Sequence, residues 1–136
     1  IYPVVKDPVS RSNTQAFVQE ILGYKWMTDH GCYNGRIEHV SSKSVDLKSL
    51  KRPFEFHQVL NDAIYCVENP DGIQPAGKEG SVILRYSDNG VPAAVAYDAK
   101  GHRAVSFGFP LEVLKDGNTL EIIMLKTLEY ITDKKK

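Results

Sequence analysis

The sequence predicts an α/β domain: a mixed sheet that ends in an antiparallel meander, covered by at least two helices, the last of which closes the chain. Three observations carry this. Residues 82–109 hold three strand-like apolar runs separated by two tight turn signals. Residues 120–131 repeat apolar side chains at helical spacing, and residues 12–23 show a shorter helical pattern between a serine and a glycine.

With 136 residues the chain is one domain in length, and it can bury a core without staples. Lys plus Arg and Asp plus Glu number 17 each, so the formal charge is zero. That balance argues against nucleic-acid binding through phosphate electrostatics and against a basic membrane-surface module. No apolar run is long enough to span a bilayer. The chain opens with Ile1 and shows neither a charged n-region nor an apolar h-region, so it reads as a piece cut from a longer protein.

Pro3 and Pro8 make the opening segment extended or turned. Ser12 to Gln15 reads as a capping box, with Phe17, Val18, Ile21 and Leu22 on one face and Gly23 as the C′ residue. Tyr24–Thr28 reads as a strand, and Arg36–Val40 as another after the Asn34-Gly35 turn. Residues 41–52 are polar and predict a loop or a marginal helix. Pro53 punctuates, Phe54–His57 alternates like a half-buried strand, and Val59–Ile64 fits a strand or a helical turn. Asn69–Gly72 and Pro75–Gly77 are turn signals.

The meander follows. Its strands are Val82–Tyr86, Ala93–Tyr97 with Pro92 at the first position, and Arg103–Phe109; Ser87–Gly90 and Asp98–Gly101 turn the chain, and Pro110 stops it. Asn118 or Thr119 caps the closing helix. Leu120, Ile123, Met124, Leu128 and Ile131 form one stripe, expected to be core packing. Lys134, Lys135 and Lys136 sit where a helix dipole favours cations.

Candidate chemistry is sparse. Asp29, His30 and Cys32 bring a carboxylate, an imidazole and a thiol together, but neighbours in sequence rarely have triad geometry, so a polar loop is expected. His30 and Cys32 have no second cluster at zinc spacing, so no metal site is assigned. Cys66 reads as a small buried hydrophobe, and a Cys32–Cys66 disulfide stays open. His39, His57 and His102 each read as surface or satisfied strand histidines. A polysaccharide lyase site would want a Tyr or His base together with a carboxylate-neutralising Arg or Asn. Tyr86, Arg85 and Arg103 are the right types, but alternation puts Arg85 and Tyr86 on opposite faces. Tyr24, Trp26 and Tyr33 are weak glycan-stacking candidates, with Tyr24 and Trp26 sharing a strand face. Gly77-Lys78-Glu79-Gly80 and Gly101 make no phosphate loop, so no cofactor is expected and no catalytic residue is assigned.

The segments Asn69-Pro70-Asp71-Gly72-Ile73-Gln74-Pro75-Ala76-Gly77, Ile83–Ser87, Pro92–Tyr97 and Ala104–Glu112, closing on Gly108-Phe109-Pro110-Leu111-Glu112, carry a resemblance. Over about residues 13–132 the chain resembles the C-terminal class I glutamine amidotransferase-like domain of bacterial xanthan lyase-like proteins. The resemblance implies a flavodoxin-like fold with a mostly parallel sheet, of which this chain supplies the later part, and an extracytoplasmic setting. Working amidotransferases of this kind carry a Phe-His-Pro-Glu sequence. Here Phe109-Pro110-Leu111-Glu112 keeps the glutamate and lacks the histidine that would move the proton. The expectation is a non-catalytic accessory domain of a larger polysaccharide-associated protein. It competes with a carbohydrate-binding module and with an enzyme domain whose catalytic residues lie partly outside the chain. Expected partners are the rest of the parent chain or a second copy, and a polysaccharide.

Overall fold

A computed structural model describes residues 12–50 and 53–133. Pro3, Pro8, Lys51, Arg52 and Lys134–Lys136 lie outside the described residues. The observed class is mixed α/β, with antiparallel sheets and a C-terminal helix.

Helix α1 (Ser12–Ala16) runs directly into a π-helical segment (Phe17–Leu22). The segment ends at Gly23, whose positive φ of 76° lets its N–H turn back to the Val18 carbonyl. A side chain at Gly23 would also collide with the Tyr97 ring. Strand β1 (Tyr24–Thr28) follows as expected, and Gly35 in the left-handed region introduces β2 (Arg36–His39). These two strands do not form a hairpin. β1 pairs with β4 (Gly72–Pro75), a strand hidden between two turn signals, while β2 joins the main sheet.

That sheet has the order β3-β2-β5-β6-β7, built from β3 (Phe54–Glu55), β2, β5 (Gly80–Tyr86), β6 (Pro92–Ala99) and β7 (His102–Phe107). Every registered pair is antiparallel. The meander β5-β6-β7 matches the sequence reading, and β6 begins on Pro92. The expected mixed sheet and the mostly parallel pairing are not found among the described residues. Parallel neighbours need a crossover of about a dozen residues or more. Here β5, β6 and β7 are joined instead by tight turns at Ser87–Asn89 and Lys100–Gly101.

β6 is buried on both faces. Val95 joins Val18, Tyr24 and Ile73 in a small cluster beneath the β1–β4 ribbon. Ala94 and Ala96, on the opposite face, join the main core with Ile37, Leu84, Phe56, Phe109, Ile123 and Tyr130. The polar stretch after β2 is a loop, not a helix. Val45, Leu47 and Leu50 drop into the main core and pin it there. Residues 59–64 form neither strand nor helix; the Asn61 carboxamide oxygen accepts the Ala63 and Ile64 N–H groups and holds an open loop.

Helix α2 (Gly117–Thr132) differs from expectation in its cap and its buried face. Asp116 caps it, its carboxylate accepting the Asn118 and Thr119 N–H groups at 3.2 Å and the Thr119 hydroxyl at 2.6 Å. A carboxylate one turn earlier satisfies the orphan donors and meets the positive end of the helix, which frees Thr119 to be buried. The face that packs inward runs through Thr119, Ile123 and Tyr130. Met124, Leu125, Leu128 and Ile131 stay roughly half exposed, so only part of the expected stripe is core. The reason is position: α2 lies against β7, the last strand of the sheet among the described residues, so strands continue beneath only one side of the helix.

Two truncations read this geometry. Ile123→Ala, at 1% exposure, should cost about 2–5 kcal/mol. Leu128→Ala, at 49% exposure, should cost under about 1 kcal/mol. Urea unfolding of both variants checks the pair, and equal losses would mean α2 is rotated from the orientation described.

Candidate functional site

A polar cleft of about 970 Å³ lies at one end of the meander. Its floor is the start of β5, the end of β6 and the start of β7, which bring Glu79, Ser81, Asp98 and Arg103 together. One wall is the loop 41–46 and the other is the C-terminal half of α2. Glu79 is the last residue of the turn that leads into β5, and its backbone carbonyl accepts the Asp98 N–H at 3.0 Å, which fixes it beside the end of β6. The loop wall is held by the buried Val45, which leaves its serines at the surface of the cleft.

Three hydroxyls meet there. Ser42 and Ser44 are 2.5 Å apart, Ser44 and Ser81 2.9 Å, and Ser42 and Ser81 3.4 Å. The Ser42 oxygen also accepts the Ser44 N–H.

Arg103 anchors the opposite side. Its side chain is 14% exposed, lies 5.0 Å over the Tyr130 ring, and donates to the backbone carbonyls of Tyr130 at 2.9 Å and Asp133 at 3.1 Å. Asp98 at 3.4 Å and Asp133 at 3.8 Å complete its ion pairs. The guanidinium therefore ties the end of α2 to the β6–β7 hairpin, and its charge is largely satisfied before any ligand arrives. On the same α2 wall Lys126 pairs with Glu129 at 2.8 Å. Burial raises the Tyr130 phenol above its ordinary range, with Asp98 adding to the effect and Arg103 opposing it.

The stacking candidates lie elsewhere. Tyr24 is buried in the small cluster, where burial and then the Asp71 charge raise its phenol. Trp26 is half-buried and donates its Nε1–H to Asp71 Oδ1 at 3.1 Å. As the shared face required, the two rings line one concavity, of about 170 Å³. Tyr33 does not join them. It is exposed in the β1–β2 loop, its N–H donating to Asp88 and its carbonyl accepting from Gln58.

Asp29, His30 and Cys32 do not converge either. His30 pairs with Asp29 at the surface at 3.4 Å, while Cys32 is 2% exposed in the main core. Burial pushes the Cys32 thiol up, against a smaller downward pull from the Gly35 backbone, so it is a poor thiolate. Cys32 and Cys66 are both free. His102 accepts a structural role: its Nε2 bonds the Ile21 carbonyl at 2.9 Å, and its ring meets Tyr97 edge-on. His39 is half-buried in β2 opposite Leu84, and the His57 backbone bridges Val113 and Val67. Arg85 pairs with Glu38 on the exposed face while Tyr86 is buried, the opposite-face arrangement read from alternation. Glu112 accepts the Tyr65 hydroxyl at 2.7 Å; the Glu112 backbone N–H and that hydroxyl hold its carboxyl below the usual range.

Sequence reading missed the cleft as a site, although it singled out Arg103. The available signal was Val45, Leu47 and Leu50, three apolar residues inside a polar tract, which mark a loop tied to the core. Among the described residues, no three His, Cys, Asp or Glu side chains converge as metal ligands would, and no helix is long and apolar enough to cross a membrane. No family model, curated protein or solved structure matches the chain.

Two measurements test these environments. In the native protein a disulfide reagent at pH 8 should modify Cys66, which is only partly buried, well before Cys32; equal rates would place Cys32 at the surface. Carboxyl carbon shifts followed through acid pH should put Asp71 above and Asp116 below the ordinary value of about 3.9. Asp71 is raised by burial, so the cost of its charge is present above its folded pKa and is relieved as pH falls through it. Asp116 is lowered chiefly by the Thr119 hydroxyl, so its contribution is present above the unfolded value and lost as pH falls through the folded one. A shared midpoint would contradict both.

Proposed function

We propose that this chain is a non-catalytic, glutamine amidotransferase-like accessory domain, flavodoxin-like in ancestry, of a larger xanthan lyase-like protein that handles polysaccharide outside the cytoplasm. One observation carries the reading: the parts an amidotransferase would assemble are separately committed. Glu112, the glutamate of the Phe109-Pro110-Leu111-Glu112 segment, is bonded to Tyr65, and Cys32 is sealed in the core away from His30. A triad works only when nucleophile, base and orienting carboxylate meet in space. The last strand β7 and the half-exposed apolar side of α2 support the parent chain or a second copy as partner.

A second reading, a carbohydrate-binding module, is favoured by the polar cleft, whose size falls within the range of small-ligand sites. The 170 Å³ concavity at Tyr24 and Trp26 is below that range.

The full chain should release no ammonia from glutamine and generate no unsaturated sugar from acidic polysaccharide, and Cys32→Ser should leave both readings at background. Turnover that Cys32→Ser abolishes would make the chain an enzyme and end the accessory reading.

A further inference from the structure

We infer that the cleft between the serine loop and α2 is a saccharide subsite that recognises its ligand by accepting hydroxyl protons; the inference rests on the polysaccharide-associated reading above and assigns that role to particular atoms. A triangle of hydroxyls has three protons, and each oxygen of the Ser42–Ser44–Ser81 group can give its own to a neighbour. With the protons spent inside the triangle, what faces outward is lone pairs. Ser42 has used its second lone pair on the Ser44 N–H, which leaves Ser44 and Ser81 as the free acceptors.

The rest of the cleft points the same way. Glu79 lines the cleft together with Ser81 and makes no ion pair among the described residues. Arg103, the natural anion receptor of the cleft, is already engaged by Asp98, Asp133 and two backbone carbonyls. Its planar face covers Tyr130, so that ring is not a stacking platform. A phosphate or carboxylate would meet five lining carboxylates, those of Asp46, Glu79, Asp98, Glu129 and Asp133, against three cations, of which Arg103 and Lys126 are already paired. A pyranose brings several hydroxyl donors at the spacing of neighbouring ring carbons, together with oxygens that Lys43 at the rim can meet. The ligand class is therefore a neutral, hydroxyl-rich sugar unit, bound along Ser44, Ser81 and Glu79.

The test is an amide-shift titration of the full chain with a neutral glucose hexamer, repeated with inorganic phosphate as competitor. The expected result is saturable shifts confined to residues 41–46, 79–82 and 98–103, unaffected by equimolar phosphate. Glu79→Gln and Ser81→Ala, each first shown to keep the wild-type spectrum, should weaken binding by roughly 10-fold each. Trp26→Phe should leave it unchanged. Displacement by phosphate would make this an anion site and overturn the inference. Shifts mapping to Tyr24 and Trp26 would overturn it too, while leaving the polysaccharide-associated reading intact. So would a hexamer that shifts nothing, whereas the accessory reading falls only on turnover by the chain itself.

Discussion

The fold depends on burying both faces of β6. The run Ala93-Ala94-Val95-Ala96 is fully enclosed, and its small side chains let a layer approach from each side. Val95 meets the β1–β4 ribbon and the π-helical segment, while Ala94 and Ala96 meet the main core under α2. Larger residues here would push those layers apart, because interiors pack at crystal-like density and have little slack.

The two layers are stitched to one another at Asp71 and Gly108. The Asp71 N–H donates to the Gly108 carbonyl at 2.7 Å, the Gly108 N–H donates to Ala93 at 2.8 Å, and the Tyr86 hydroxyl donates to the Asp71 carbonyl at 2.8 Å. A side chain at Gly108 would run into the Asp71 carbonyl, so the residue's absence of Cβ is a packing requirement. The same node explains why Tyr86 can be a buried phenol: its hydroxyl has a partner, and burial raises its pKa strongly by disfavouring the charged form.

The cleft is a consequence of where this packing ends. At this end of the meander Asp98 and Arg103 emerge from the sheet beside Glu79, with α2 on one side and the serine loop on the other. Arg103 does for this corner what apolar contact does elsewhere. Its stem is shielded, and its guanidinium donates to the Tyr130 and Asp133 carbonyls at the end of α2.

Local signals were enough to place β1, β2, the meander and α2, because alternation, turn residues and helical spacing act within a few residues. Arg85 and Tyr86 on opposite faces followed from the pleat alone, and the lack of a histidine between Phe109 and Pro110 could be read directly. Strand β4 was hidden because Ile73 is its single buried apolar side chain and its end residues, Gly72 and Pro75, read as turn residues. The pairing of β1 with β4 rather than with β2, the half of the α2 stripe left uncovered, and the meeting of Ser44, Ser81 and Arg103 are long-range facts. They depend on which surfaces β6 can bury, and the sequence by itself determines the elements while only the packed sheet decides which of their faces, and which distant polar side chains, come together.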